Sequence, residues 1–130
     1  MKTKSRAILY IDNKLVLIKR IKDDEVYYVF PGGSVEEGED NEQACARELD
    51  EELGIKVTID KLAFEFTDYV GNMKEVFYLC TLLGGNVGGG ADKKFVPGSV
   101  ESSGYEIVYV EKEEAKKLNL LPLTVRDRVL

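Results

Sequence analysis

The sequence predicts a mixed α/β domain, and three observations carry that expectation. Short β-prone runs alternate with polar turns, one capped amphipathic helix stands near the middle of the chain, and 130 residues suit a single core spanning 1–130. There is no internal repeat and no linker-like stretch.

Residues 5 to 11 and 15 to 21 carry the runs Ala7 to Ile11 and Leu15 to Ile18, separated by Asp12-Asn13-Lys14, which reads as a β-hairpin. After a polar turn over 22–25, Val26-Tyr27-Tyr28-Val29-Phe30 forms a third strand that Pro31-Gly32-Gly33 stops. A helix over about 41–53 follows. Asp40 is its N-cap, Gln43 completes a capping box, and Gly54 supplies the left-handed residue that ends it. At about 100° per residue, Cys45, Ala46, Leu49 and Leu53 share one arc, and Glu48, Glu51 and Glu52 are expected on the opposite one.

Residues 55–59, 61–69 and 74–83 read as further strands, the last two joined by a turn around Gly71-Asn72. From Gly84 to Gly104 the chain is glycine-rich and irregular, a length that in a compact domain is expected to be either functional or disordered. A strand over 105–110 and one or two short helices complete the chain.

Composition narrows the function classes. Apolar residues make up 44% and charged residues 32%, an ordinary globular balance. With 24 acidic against 18 basic residues and a net charge of −6, electrostatic attachment to nucleic acid or an anionic membrane is disfavoured. The chain has no histidine and only two distant cysteines, Cys45 and Cys80, so a Cys/His zinc site cannot be assembled. Both thiols read as reduced core residues, and the run Ala7 to Ile11 is too short for a signal or membrane segment, which points to the cytoplasm. No motif speaks to oligomeric state.

The chemistry resides in residues 33–55. Gly33, Glu39, Arg47, Glu48, Leu49, Glu51, Glu52, Gly54 and Ile55 stand in the order G-x5-E-x7-R-E-U-x-E-E-x-G-U, with U a bulky aliphatic residue. A random chain of this length would match on the order of once in ten million times or less, at average residue usage. Spaced i, i+3 and i+4, the three glutamates form one carboxylate patch about a turn high, and their mutual repulsion asks for a cation. Mg²⁺ favours one or two carboxylates shared with phosphates and waters, and Mn²⁺ can substitute. A solvated acidic helix face is the plain alternative, but it does not require Gly33, Glu39, Arg47 and Gly54 in register.

This pattern resembles the complete Nudix box and shows no departure from it. The resemblance implies an α/β/α sandwich with a mixed central sheet and a metal-dependent hydrolase acting on the diphosphate linkage of a small-molecule nucleotide. It also implies Glu48 and Glu52 as the main carboxylates at the metal, Glu51 as a further ligand, Glu39 as an outer participant, and Arg47 as the group orienting Glu48. Gly33 is expected to take a conformation closed to side chains and to bring its backbone to the metal. The residue that deprotonates the attacking water stays open among Glu48, Glu51, Glu101 and Glu106. A non-catalytic nucleotide-sensing module is the alternative from another class, although such modules tend to lose box carboxylates.

For the substrate, size and organisation look like the MutT-type nucleoside triphosphate pyrophosphohydrolases. Nucleoside diphosphate sugars and dinucleoside polyphosphates are the alternatives: Val70 stands where ADP-ribose hydrolases of the family often carry proline, and Tyr69 lies near a tyrosine of diadenosine-polyphosphate hydrolases without matching it. Phe95, the one aromatic in the glycine-rich loop, is the expected base-stacking residue. Tyr28 and Asn119 are further candidates for binding the base.

Overall fold

A computed structural model of the chain describes residues 1–92 and 104–130. Its elements are β1 (Lys2–Ile11), β2 (Lys14–Lys22), β3 (Glu25–Val29), β4 (Gly32–Ser34), α1 (Asn41–Leu53), β5 (Ile55–Asp68), β6 (Met73–Gly85), β7 (Tyr105–Glu111), α2 (Lys112–Ala115), β8 (Leu120–Leu121) and α3 (Leu123–Val129). The main strand order is β5-β6-β1-β2-β3-β8, with β4 added to β1 and β7 to β2. The β1–β6 and β3–β8 pairs are parallel and the others antiparallel, so the sheet is mixed.

Local chemistry explains the connections. Asp12 and Asn13, and again Asp23 and Asp24, are paired left-handed residues with φ between 52° and 66°. Two consecutive positive φ values make the hairpin turn whose twist matches the flanking strands, and Asn and Asp tolerate that region best after Gly. The two strands expected over 55–69 are one strand, β5, whose register slips against β6 around Asp60 and Ala63. Such bulges bend a strand without ending it. Two short strands escaped the sequence reading: β4 lies in the glycine-rich stop after β3, and β8 has only two residues.

Helices cover both faces of the sheet. On one side Cys45, Leu49 and Leu53 of α1 pack on Leu9, Val16, Ile18 and Val76. On the other, Ala115 and Val125 from α2 and α3 close over Ile8, Leu15, Leu17, Phe30 and Phe77. Leu15 to Ile18 are consecutively buried because alternate residues enter different cores. The result is the α/β/α sandwich with a mixed sheet that the box implied.

Candidate active site

The frame of the site is α1 and the chain leading into it. Asp40 Oδ1 accepts from the Gln43 amide (2.8 Å), while Gln43 Oε1 accepts from the Asp40 amide (2.9 Å), forming the capping box. Gly54 ends the helix at φ 75°. Buried Ser5 ties the helix start to β1 through a 2.6 Å hydrogen bond to the Asn41 carbonyl. Beyond β6, Gly88 N–H donates to the Leu53 carbonyl and Asp92 N–H to the Glu51 carbonyl, so residues 88–92 satisfy last-turn acceptors that a helix leaves open. This wrapping leaves no room for a Cβ at Gly54, which would lie 2.4 Å from the Gly89 carbonyl carbon.

Arg47 is the hub. Its Nε and Nη2 donate to the two oxygens of Glu39 (2.9 and 2.8 Å), Nη2 also reaches the Ser34 carbonyl (3.0 Å), and Nη1 reaches Glu48 Oε1 and Glu51 Oε2 (both 3.1 Å). One guanidinium thus fastens the 34–39 loop to the helix and aligns two carboxylates. The fork holds the Glu39 carboxyl below its usual range and is itself made a weaker acid by the bonds to Glu39.

Glu52 departs from the sequence expectation. It is only 7% exposed, so it does not share an open face with Glu51. The helical projection explains this: position 52 lies one step of about 20° from Cys45, on the edge of the packed arc. Its Oε1 accepts the Gly32 N–H at 2.9 Å. Burial, and secondarily the charge of Glu48, push the carboxyl up to about 8 against that hydrogen bond. Burial also raises Glu48, with Arg47 pulling the other way.

The two glycines of β4 have separate tasks. The positive φ, 144°, belongs to Gly32 and not to Gly33 as expected, and a Cβ on Gly32 would lie 2.2 Å from the Ser5 carbonyl oxygen. Gly33 is needed for space: a Cβ there would sit 2.6 Å from the Glu48 carboxyl. Together they let a backbone strand lie directly over two glutamates.

These groups line a cleft of about 540 Å³. Glu36, Arg47, Glu48, Glu51, Glu52 and Asp92 form an acidic bank with one arginine; Lys4 and Arg6 of β1 and Arg20 of β2 stand among the other lining residues. Asp92, Lys4, Arg6, Arg20, Tyr27 and Tyr105 escaped the sequence reading: which face of each strand meets α1 is not marked in the strand pattern, and Asp92 follows a glycine-rich stretch outside any strand. Among the described residues no three acidic, cysteine or histidine side chains converge on one point. Mg²⁺ keeps waters and shares substrate oxygens, so it needs only one or two protein carboxylates. The donor chemistry fits too: buried Glu52 has one neutral donor and a like-charged neighbour, a pair that one divalent cation would discharge.

Other expected site residues lie elsewhere. Tyr28 faces the opposite core and lines a separate groove with Lys19 and Glu106, because neighbours in a strand point to opposite faces; Tyr27 takes the place in the cleft. The same alternation carries Glu106 away from the box and turns Tyr105 toward it. Asn119 is exposed and outside the cleft lining, with its carbonyl accepting from the Tyr28 amide. Phe95 and Glu101 lie outside the described residues.

An α/β/α sandwich with a capped helix of glutamates under a glycine strand defines the class of protein. The NUDIX domain profile matches residues 1–127, and the chain belongs to the Nudix family. It is 33% identical over 93 residues to an ADP-ribose pyrophosphatase of Methanocaldococcus jannaschii, covering 68% of this chain and 55% of that protein. Over 63 residues it is 40% identical to the 8-oxo-dGTP diphosphatase of Escherichia coli, covering 44% of this chain and 49% of the other. The chain thus spans about half the length of these curated relatives. The solution structure of the E. coli ORF135 protein superposes with a TM-score of 0.72 at 25% identity, covering 99% of this chain and 88% of that one. Nudix hydrolases generally use a divalent metal, and no helix among the described residues is long and apolar enough to cross a membrane.

Proposed function

We propose that this domain hydrolyses the diphosphate linkage of a nucleoside diphosphate carrying a further group, with a nucleoside triphosphate as substrate and a nucleoside monophosphate and pyrophosphate as products. The observation that carries the reading is the complete carboxylate patch, with Arg47 bonded to Glu39, Glu48 and Glu51, and Glu52 held under Gly32. Glu48, Glu52, Glu51 and the Gly33 backbone would hold Mg²⁺ or Mn²⁺. The ion supplies Lewis-acid polarisation of phosphoryl oxygens and a more acidic water.

The chain's own groups do the rest. Arg47 keeps Glu48 and Glu51 from turning into solvent, and the Gly32 amide fixes one oxygen of Glu52. Water attacks one phosphorus, the bridging P–O bond breaks, and the water's proton passes to a cleft carboxylate; lining of the cleft by Glu48 and Glu51, and of a separate groove by Glu106, supports the first two as candidates. Lys4 and Arg6 bring positive charge toward the leaving phosphates.

The similarity to the M. jannaschii protein, named an ADP-ribose pyrophosphatase, supports a second reading in which the further group is a ribose phosphate. A panel of nucleoside triphosphates, ADP-ribose, nucleoside diphosphate sugars and dinucleoside polyphosphates, assayed for released phosphate or monophosphate with Mg²⁺, separates the two. A cytoplasmic setting agrees with the unlinked thiols of Cys45 and Cys80, 3.9 Å apart in the core. No turnover of any panel member with Mg²⁺ or Mn²⁺ would overturn the hydrolase reading and favour a nucleotide sensor.

A further inference from the structure

The two cysteines of the chain meet each other across the core although they stand 35 residues apart. Cys45 belongs to α1 and Cys80 to β6, and both lie in the apolar cluster beneath the helix. Their Sγ atoms are 3.9 Å apart, and Cys80 Sγ also donates to the Tyr78 carbonyl at 3.5 Å. A thiol is only a weak donor and acceptor, so packing by itself does not call for two of them in contact. Cys80 is the more accessible of the pair, 8% exposed against 0% for Cys45. Its partner across the ladder is Ile59 of the edge strand β5, and the β5–β6 register slips just beyond, between Ile59 and Lys61. A bulge in an edge strand weakens the local ladder and gives a small molecule a route to Cys80.

We propose that Cys45 and Cys80 are a modification site for peroxides, closing to an intramolecular disulfide that clamps α1 to β6 and displaces the carboxylates of the cleft. The Cys80 sulfur, as thiolate, attacks one peroxide oxygen; the S–O bond forms, the O–O bond breaks, and the departing hydroxide takes up a proton as water. Cys45 then attacks the sulfenic sulfur, the S–S bond forms, and hydroxide leaves with the Cys45 proton as a second water. The two thiols lose two electrons and the peroxide gains them. The hydrogen bond to Cys45, and then burial, keep Cys80 in the thiol form, so the first step waits on local opening and is slow. The second step is fast, because the resolving sulfur is already in contact. A disulfide holds its sulfurs about 2 Å apart, roughly half the present separation. Arg47 and Glu48 share a turn of α1 with Cys45, and Glu52 lies about two turns further along the same side. Since β4 rests directly on Glu48 and Glu52, a helix drawn toward β6 alters both contacts. The effect on the carboxylates rests on the metal-site reading of the same cleft.

The test treats the reduced, metal-free protein with hydrogen peroxide at millimolar concentration, removes the peroxide, unfolds a portion in a thiol-alkylating reagent and maps its peptides. The expected product is a monomer in which the Cys45 and Cys80 peptides are linked. Its urea midpoint should rise, because the bond constrains the unfolded chain. Its affinity for Mn²⁺, followed by electron paramagnetic resonance, should fall at least about tenfold, the scale on which displaced supports of a metal site act. Dithiothreitol should reverse both changes. Cys80→Ala should bind Mn²⁺ like the reduced wild type and lose the response to peroxide; should it fold poorly, Cys45→Ala serves the same purpose. Sulfinic or sulfonic acid at Cys80 without a link, or a disulfide between two chains, would overturn the proposal, as would a linked monomer with unchanged Mn²⁺ affinity. A protein that shows the linked, weakened state but hydrolyses no nucleotide when reduced would remove the hydrolase reading and leave the clamp standing.

Discussion

Glu52→Gln separates the electrostatic cost of the site from its catalytic use. In the metal-free protein the Glu52 carboxyl is raised to about 8 from an ordinary value of 4.5, chiefly by burial. A group whose pKa is higher in the folded than in the unfolded chain binds more protons when folded. Folding stability therefore falls as pH rises from about 4.5 to about 8 and levels off beyond. The full cost of ionising this side chain is about 3 to 5 kcal/mol at and above pH 8, and close to zero below pH 5. Glutamine removes the titration and keeps an oxygen for the Gly32 amide. In excess chelator at pH 8, Glu52→Gln should be the more stable protein by a few kcal/mol, with the difference closing toward pH 5. Urea melts at pH 5, 6.5 and 8 measure it. With Mg²⁺, the same variant should lose at least ~10²-fold in kcat. A variant less stable than wild type at pH 8 in chelator, or a difference that ignores pH, would refute the argument.

Other outcomes follow from the same geometry. Activity should vanish in EDTA and return with Mg²⁺ or Mn²⁺ at millimolar concentration; equal turnover in chelator would exclude the metal. Gly32→Ala drives a Cβ into the backbone of Ser5 at a strained φ and should cost at least about 3 kcal/mol in a denaturant melt. Gly33→Ala meets only the movable end of Glu48, so it should fold nearly as well while losing roughly 10- to 100-fold in kcat, provided by comparing melting temperature with turnover. Arg47→Lys cannot serve Glu39, Ser34, Glu48 and Glu51 together and should lower stability by about 1 to 3 kcal/mol along with kcat.

The parts legible in the sequence are those encoded by neighbours along the chain. Asp40, Gln43 and Gly54 mark the ends of α1 by local hydrogen bonds and φ, and Asp12-Asn13 fixes its hairpin, so both read directly. What failed depended on partners far away. Whether Tyr27 or Tyr28 enters the cleft depends on which face of β2 and β3 receives α1, and a single strand pattern with two buried faces carries no such mark. Glu52 is expected in the open with Glu48 and Glu51 when the helix is split into one apolar and one acidic arc, whereas its angle beside Cys45 puts it under β4. The Gly32-Gly33 pair looked like a strand stop, and only the closeness of Ser5 and Glu48 shows that it is itself a strand. Asp92 reaches the cleft because residues 88–92 cap the end of α1, a contact that glycine-rich sequence does not announce.

The five bonds of Arg47 also make the loop and the helix one mechanical unit. The Glu36 amide bonds to Glu39, Glu39 grips Arg47, and Arg47 holds Glu48 and Glu51. Charge arriving among those carboxylates is expected to shift the guanidinium's bonds and, through Glu39 and Ser34, the segment 34–39. Hydrogen exchange at the main-chain amides of this segment should then change when the cleft is occupied, without any reaction taking place.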